Sequence, residues 1–305
     1  MSPDPRPGDV EVFESERPRL TGLAYRITGS AADAQDVVQD AWLRWAASGA
    51  TGVENPAGWL TTVTSRLAID RLRAQRRRRE QYLGPWLPDP VPTASDGERT
   101  AELAESLTLG FLVVLDTLGP SERVAFLLCD VFAEPYPVVA EVLGKSEAAC
   151  RQLVSRARRK VRAARLDTRR AVAAPAAAEL LVELMQAVLA DDEDRVLRLL
   201  HPDVVLTSDA GPARRAARHP VVGAPRVHRL LRGGWRLLGF QSRPRPDEYP
   251  PTRLAYINSS TSVVVDSPGG PIVFTGEALD GRITSLWMLA NPDKMTGFND
   301  PHPIL

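Results

Sequence analysis

The stretch from Leu118 to Val161 constrains the fold more than any other part of the chain. It holds three apolar-periodic segments, PSERVAFLLCDVF, PVVAEVLG and SEAACRQLVSRARRKV, separated by short proline and glycine breaks. In the third, Cys150, Val154, Ala157 and Val161 recur at helical spacing and form an inward stripe. Arg151, Gln152, Ser155, Arg156, Arg158 and Arg159 are left facing out. Ser146 stands where an N-cap belongs. Helix, glycine turn, and a second helix presenting Arg, Gln and Ser describe a helix-turn-helix, because those side chains can bond base edges or phosphates. An ordinary helical hairpin with a solvated charged face is the competing reading.

The net charge is zero, from 38 basic and 38 acidic residues, and taken alone argues against a nucleic-acid partner. Its distribution argues otherwise. Arg66 to Arg79 holds seven arginines and one acid, and Arg151 to Arg170 holds nine basic residues and one acid. Two basic strips on a neutral body suggest two contacts with a polyanion, since binding follows the local potential. The first strip ends a long helix predicted over Ala57 to Gln81, where Trp59 and Thr62 stand among Arg66, Arg71, Arg73 and Arg76. Stacking surface plus cations suits a strand with unstacked bases, although a Trp at helical spacing also reads as core. Upstream, Asp33 to Trp45 carries an apolar stripe (Ala34, Val37, Val38, Ala41, Trp42, Trp45) opposite Asp33, Asp36, Gln39, Asp40 and Arg44. That acidic face suits a protein partner with basic surface, or plain solvent.

A length of 305 residues allows about two domains. Gly84 to Gly97 holds four prolines and reads as a linker, and Thr168 to Ala178 as a second join. Beyond it the texture changes. Two helices fill Ala178 to Leu200, a short strand Asp203 to Thr207, and β-branched runs divided by SPGG and LDGR turns follow from Arg253. Helices followed by an antiparallel meander describe an α+β domain. Cys129 and Cys150 are too few for a disulfide framework or metal cluster, so they read as core thiols. No apolar run approaches the ~18 residues of a membrane span, and the acidic, proline-rich start lacks a signal segment. A cytoplasmic protein without metal, cofactor or membrane contact is the expectation.

Four ordered blocks, DAQDVVQDAWLRW, GWLTTVTSRLAIDRLRAQRRRRE, LGPSERVAFLLCDVF and LGKSEAACRQLVSRARRKVR, resemble the extracytoplasmic-function sigma factors of bacterial RNA polymerase. The resemblance runs from about Phe13 to Arg165. It implies that the face of Asp33, Asp36, Gln39, Asp40 and Arg44 docks on the clamp of core RNA polymerase. By the same resemblance, Trp59, Thr62, Arg66, Arg71, Arg73 and Arg76 would read and open the −10 element of promoter DNA. Ser146, Arg151, Gln152, Ser155, Arg156, Arg158 and Arg159 would read the −35 element.

YLGPWLPDP (Tyr82 to Pro90) and NPDKM (Asn291 to Met295) are similar to motifs of a subgroup with a fused SnoaL-like C-terminal domain, which regulates the sigma segment in place of a separate anti-sigma protein. The implied organisation is two all-α sigma domains, at 9–82 and 100–166, joined by a linker at 83–99. A SnoaL-like α+β domain with a curved antiparallel sheet follows at 176–295, then a tail at 296–305. Trp86, Leu87, Pro88, Asp89 and Pro90 are expected to meet Asn291, Pro292, Asp293, Lys294 and Met295 in one regulatory contact. An apolar Trp–Leu pair on a proline-stiffened segment needs a partner. Two departures stand out. The subgroup's DGGGK becomes Asp209-Ala210-Gly211-Pro212-Ala213, and EPYPVV (Glu134 to Val139) puts two prolines at a helix start, which should shift that start and leave the helix-turn-helix intact. An enzyme or small-molecule sensor fused to a helix-turn-helix is the alternative. Its acid–base candidates are Asp203, Asp209, Asp266, Glu277 and Asp280, with His201, His219, His228 and Tyr256 as partners; structural roles for them are expected, and no catalytic residue is assigned.

Overall fold

A computed structural model describes residues 7–48, 53–93, 105–167, 174–214, 216–234, 245 and 249–295. The 296–305 tail, the end of the linker, the start of the second helical segment and most of the Thr168 to Ala178 join lie outside the described residues. Helices α1 (Pro7–Thr28), α2 (Ala31–Ser48) and α3 (Pro56–Arg79) form the first bundle. Their apolar stripes meet in Leu20, Leu23, Ile27, Val37, Ala41, Trp45, Leu60 and Leu72, all but removed from solvent. Gly29 ends α1 with φ +72°. A side chain there would be strained, and its Cβ would come within 2.9 Å of the Trp86 ring.

The second helical region comprises α4 (Leu109–Leu115), α5 (Pro120–Phe126) with a π-turn over Leu127–Val131, α6 (Tyr136–Leu143) and α7 (Glu147–Asp167). Pro135 is the N-cap residue of α6, so the helix begins at Tyr136 past the first proline and the helix-turn-helix is intact. Gly144 ends α6 in the left-handed region at φ +61°. The two regions are not separate bodies. One continuous apolar core joins Phe13, Tyr25 and Leu60 of the first to Leu112, Leu115, Leu128, Val154 and Val161 of the second.

Beyond α8 (Ala174–Ala190) and α9 (Glu193–Leu199) lie β1 (Leu200–Asp209), β2 (Val221–Val222), α10 (Ala224–Gly233), β3 (Thr252–Ile257), β4 (Ser260–Ser267), β5 (Gly270–Leu279) and β6 (Arg282–Leu289). The sheet order is β2-β1-β6-β5-β4-β3. The meander β3 to β6 is antiparallel as expected, but β1 lies parallel to β6, with Leu206 opposite Leu286, so the sheet as a whole is mixed. Local alternation carries no information about that pairing, which joins strands some 80 residues apart.

Strands β4 to β6 are buried on both faces, which is why they read as unbroken apolar runs rather than alternating ones. Val263, Val265, Ile272, Phe274 and Met288 pack beneath α8 to α10. Val264, Val273, Trp287 and Leu289 point the other way and are covered by Leu87 and Met295 and by Leu109 and Val113 of α4.

The shared core predicts shared unfolding. Leu112→Ala should cost about 2–5 kcal/mol and should lower hydrogen-exchange protection of α3 amides as well as those of α7. Full α3 protection while α7 exchanges would show two independent cores.

Candidate nucleic-acid interface

On α7 the inward stripe is Cys150, Leu153, Val154, Ala157 and Val161, and Arg151, Gln152, Ser155, Arg156, Arg158 and Arg159 are all exposed. Ser146 accepts from the Ala149 amide at 3.3 Å and caps the helix. Several of these cations already hold carboxylates of the same chain. Arg158 grips Asp130 through Nε and Nη2 at 2.5–3.1 Å, Arg151 meets Glu147 at 2.8 Å, and Glu122 lies 3.6 Å from Arg156 and 2.7 Å from Lys160. Exposed pairs of this kind contribute about 0–1 kcal/mol each, so a phosphate can replace the carboxylate at little cost.

The face expected to be open on α3 is largely closed. Trp59 packs on Trp45 with ring centroids 5.3 Å apart, and Thr62 is buried. Arg76 Nη2 donates to the Leu118 carbonyl at 2.5 Å, which turns it toward the second helical region. Arg66 donates to the Glu141 carbonyl at 2.6 Å, with that residue's carboxylate at 3.8 Å. Only Arg66 and Arg73 of the six α3 residues are exposed, and Arg73 pairs with Asp70 at 3.1 Å. Periodicity separated inward from outward within each helix, but one region covering the other is invisible to it.

On α2, Asp36, Gln39, Asp40 and Arg44 lie exposed on one face. Asp33 is half-buried; it accepts from Gln75 and lies 3.5 Å from Arg71, which also reaches Asp36 at 3.1 Å.

The linker motif and the C-terminal motif touch. Lys294 Nζ reaches the Asp209 carboxylate at 2.7 Å and the Leu87 carbonyl, with Asp89 at 3.9 Å and the Trp86 ring centroid at 3.8 Å. The opposing Asp209 carboxylate is fully buried and also accepts from the Leu87 amide at 2.9 Å and from the Tyr82 hydroxyl. Asn291 Nδ2 donates to that same Tyr82 oxygen at 3.0 Å. Burial pushes the Lys294 ammonium below its ordinary pKa, against the pull of Asp209 and Asp89. Burial likewise raises the Asp89 carboxyl, and Lys294 opposes the shift.

Asp89 also fastens the linker to the first bundle. Its amide donates to Gly29, its carbonyl accepts from Tyr25, and its carboxylate accepts from the Ala31 amide at 2.9 Å at the start of α2. Arg79 at the end of α3 stacks on Trp86 at 3.1 Å and pairs with Asp116 at 3.2 Å; burial lowers its pKa to about 10. Farther along, the β3–β4 turn adds a clasp. Asn258 and Ser259 both have positive φ, and Asn258 exchanges hydrogen bonds with Val91 while donating to Tyr25 at 2.6 Å.

A model of Sigma-70 region 2 matches residues 12–78, and one of Sigma-70 region 4 matches residues 110–161. The chain is 42% identical to the ECF RNA polymerase sigma factor SigJ of Mycobacterium tuberculosis over 95% of its own length and 94% of the relative's. The chain belongs to the extracytoplasmic-function sigma factors. It is also 31% identical to the probable ECF RNA polymerase sigma factor SigI of the same species, over 93% of each chain. The crystal structure of M. tuberculosis SigJ superposes with a TM-score of 0.75 at 40% identity, covering 94% of this chain and 98% of that one. A transcription initiation factor with a C-terminal regulatory domain is thereby established, of a family whose members are in general not enzymes.

Among the described residues of this sigma factor, no helix is long and apolar enough to cross a membrane, and no cluster of His, Cys, Asp and Glu could hold a metal. The acid–base candidates do not converge. Asp203, Asp266 and Asp280 are exposed, Glu277 lies at α4, and Asp209 sits in the Lys294 cluster. Of the partners, His228 is buried 3.6 Å from Glu193, His201 is half-buried near Asp203, Tyr256 is half-buried and His219 exposed. The sequence reading missed Tyr25, Arg79, Tyr82 and Asn258 as contact residues, and singled out Asp209 only as an acid–base candidate and as the start of the altered DGGGK segment.

Lys294→Ala should strand two buried carboxylates and weaken the junction by about 3–5 kcal/mol. The amides of Leu87, Asp89 and Val91 should then exchange with solvent much faster. Unchanged protection there would mean that Lys294 does not hold the linker.

Proposed function

We propose that this sigma factor selects promoters for core RNA polymerase and that its C-terminal domain holds it in a closed form from which the promoter-reading surfaces must be released. The observation that carries the closed form is the Lys294–Asp209–Leu87 junction, which ties the C-terminal domain to a linker that Asp89 fastens to the first bundle. In this reading the exposed face of Asp36, Gln39, Asp40 and Arg44, with Asp33 at its edge, docks on the polymerase clamp. Asp89 helps to shape that face, because a carboxylate at a helix N-terminus satisfies free amides and the helix dipole.

Arg66, Arg71 and Arg73, with Trp59, Thr62 and Arg76 once uncovered, engage the −10 element. Arg151, Gln152, Ser155 and Arg156 read base edges at −35, with Ser146, Arg158 and Arg159 on phosphates. Trp86 to Pro90 and Asn291 to Met295 are the regulatory contact. We assign no catalytic residue, metal or cofactor to the chain. A crevice of about 550 Å³ lined by Gln75, Arg79, Trp86, Asp89 and Lys294 is where a small molecule would compete with the junction.

Run-off transcription with core polymerase on a randomised promoter library should give products only when this protein is added, and more with Lys294→Ala than with the wild type. On a promoter so selected, alanine at Arg151, Gln152, Ser155 or Arg156 should cost about 1–3 kcal/mol and relax preference at one base pair, whereas Arg158→Ala or Arg159→Ala should weaken all sequences alike. No binding to core polymerase would overturn the function. Uniform effects from both groups of variants would overturn the assignment of base contacts.

A further inference from the structure

The seven residues of α4 have two buried sides. Phe111, Leu112, Val114 and Leu115 belong to the helical core, while Leu109 and Val113 lie on the outer face of the C-terminal sheet with Val264, Val273, Trp287 and Leu289. Between them, Gly110 brings the helix backbone directly against the sheet. A Cβ at that position would overlap the Glu277 carboxylate and come within 3.0 Å of the Trp287 ring. Gly110 stands in the first turn of α4, just after the Thr108 cap, where the helix itself makes no demand for glycine, so its presence here answers to the close approach.

The segment immediately after α4 grips α3. Asp116 pairs with Arg79 at 3.2 Å and with the fully buried Arg123 at 2.5 Å. The Leu118 carbonyl accepts from Arg76. Arg123 in turn donates to the Arg26 carbonyl of α1 at 3.0 Å. A continuous set of packed groups therefore runs from Trp287 and Glu277 through α4 and Asp116 to the arginines of the −10-reading helix.

We propose that the sheet face around Trp287 and Glu277 is a second regulatory docking site, that its occupant is α4 of this same chain, and that Gly110 is the positioning residue that permits the docking. The C-terminal domain thus restrains region 4 directly, in addition to holding the linker through Lys294. This rests on the closed form proposed above and extends it to a surface outside both sequence motifs. Apart from Glu277 the side chains involved, Leu109, Val113, Val264, Val273, Trp287 and Leu289, are apolar, so the contact resists salt better than the arginine–carboxylate pairs over the DNA-reading faces.

The test uses the full-length protein and a fluorescent 25-nucleotide single strand of mixed sequence at low salt, without polymerase. Gly110→Ala should raise affinity about threefold, and Gly110→Leu about tenfold, with unchanged helix content by circular dichroism. Adding Glu277→Ala to Gly110→Ala should return affinity most of the way to wild type, because the overlap is relieved. General damage to the fold would lower DNA binding in every variant and would give no such rescue. Lys294→Ala serves as the comparison. If it raises affinity while both Gly110 variants match wild type, α4 docking is not a restraint and the proposal fails while the closed form stands. If neither Lys294→Ala nor the Gly110 variants raise affinity, the closed form itself is wrong. A loss of affinity in both folded Gly110 variants also overturns the proposal. Should Gly110→Leu fail to fold, Gly110→Ala and its rescue decide the matter.

Discussion

One buried ammonium group, that of Lys294, decides whether three distant parts of the chain can be together. Taking a lysine out of water costs several kcal/mol, and the cost is met only when Asp209 from the sheet, Asp89 and the Leu87 carbonyl from the linker all surround it. With any one of them absent, the others are stranded charges or unsatisfied acceptors. Such a cluster adds little net stability compared with an apolar plug of the same volume. What it supplies is an all-or-none condition, because the linker, the C-terminal motif and the end of β1 must arrive together or not at all.

The remaining contacts fall into two kinds with different physics. Apolar contacts, from Leu112 and Val154 in the helical core to Leu109 on the sheet, set where the elements sit. Polar contacts cover the arginine-rich faces: Glu141 at Arg66, Asp130 at Arg158, Glu122 at Lys160. The zero net charge of the whole chain is thus realised locally, with carboxylates standing where a polyanion would. In the proposed reading the protein carries weak, exchangeable substitutes for phosphate on its own surface. Thr64 and Ser65 of α3 also bury hydroxyls without a hydrogen-bond partner among the described residues.

The helical half was legible because its signals are local. Apolar spacing at Cys150, Val154, Ala157 and Val161, a glycine at 144 and a serine at 146 describe a helix-turn-helix without reference to any distant residue. The C-terminal meander was legible for the same reason, through β-branched runs and the Asp280-Gly281 turn. The junction was legible only as two motifs awaiting partners. Asn258 carries no local mark of the role it plays, and Tyr82 and Asp209 stand within motifs that do not name their partners, since an aspartate at a strand end looks the same whether it serves a substrate, solvent or a lysine 85 residues away. The cover over Thr62 and Arg76 was equally hidden, because a helical stripe reports that a face is buried and never by what.

Chain order gives the Lys294 junction a temporal meaning. Synthesis proceeds from the N-terminus, and domains fold as they emerge at about 5–20 residues per second. Regions 2 and 4 are complete when residue 161 has been made, yet the lysine that ties the linker to the C-terminal domain comes some 130 positions later. Each newly made molecule therefore passes through a period on the order of ten seconds in which both promoter-reading regions exist and the fastening does not. Where transcription and translation share a compartment, a nascent copy can meet polymerase before the closing contact proposed above is able to form.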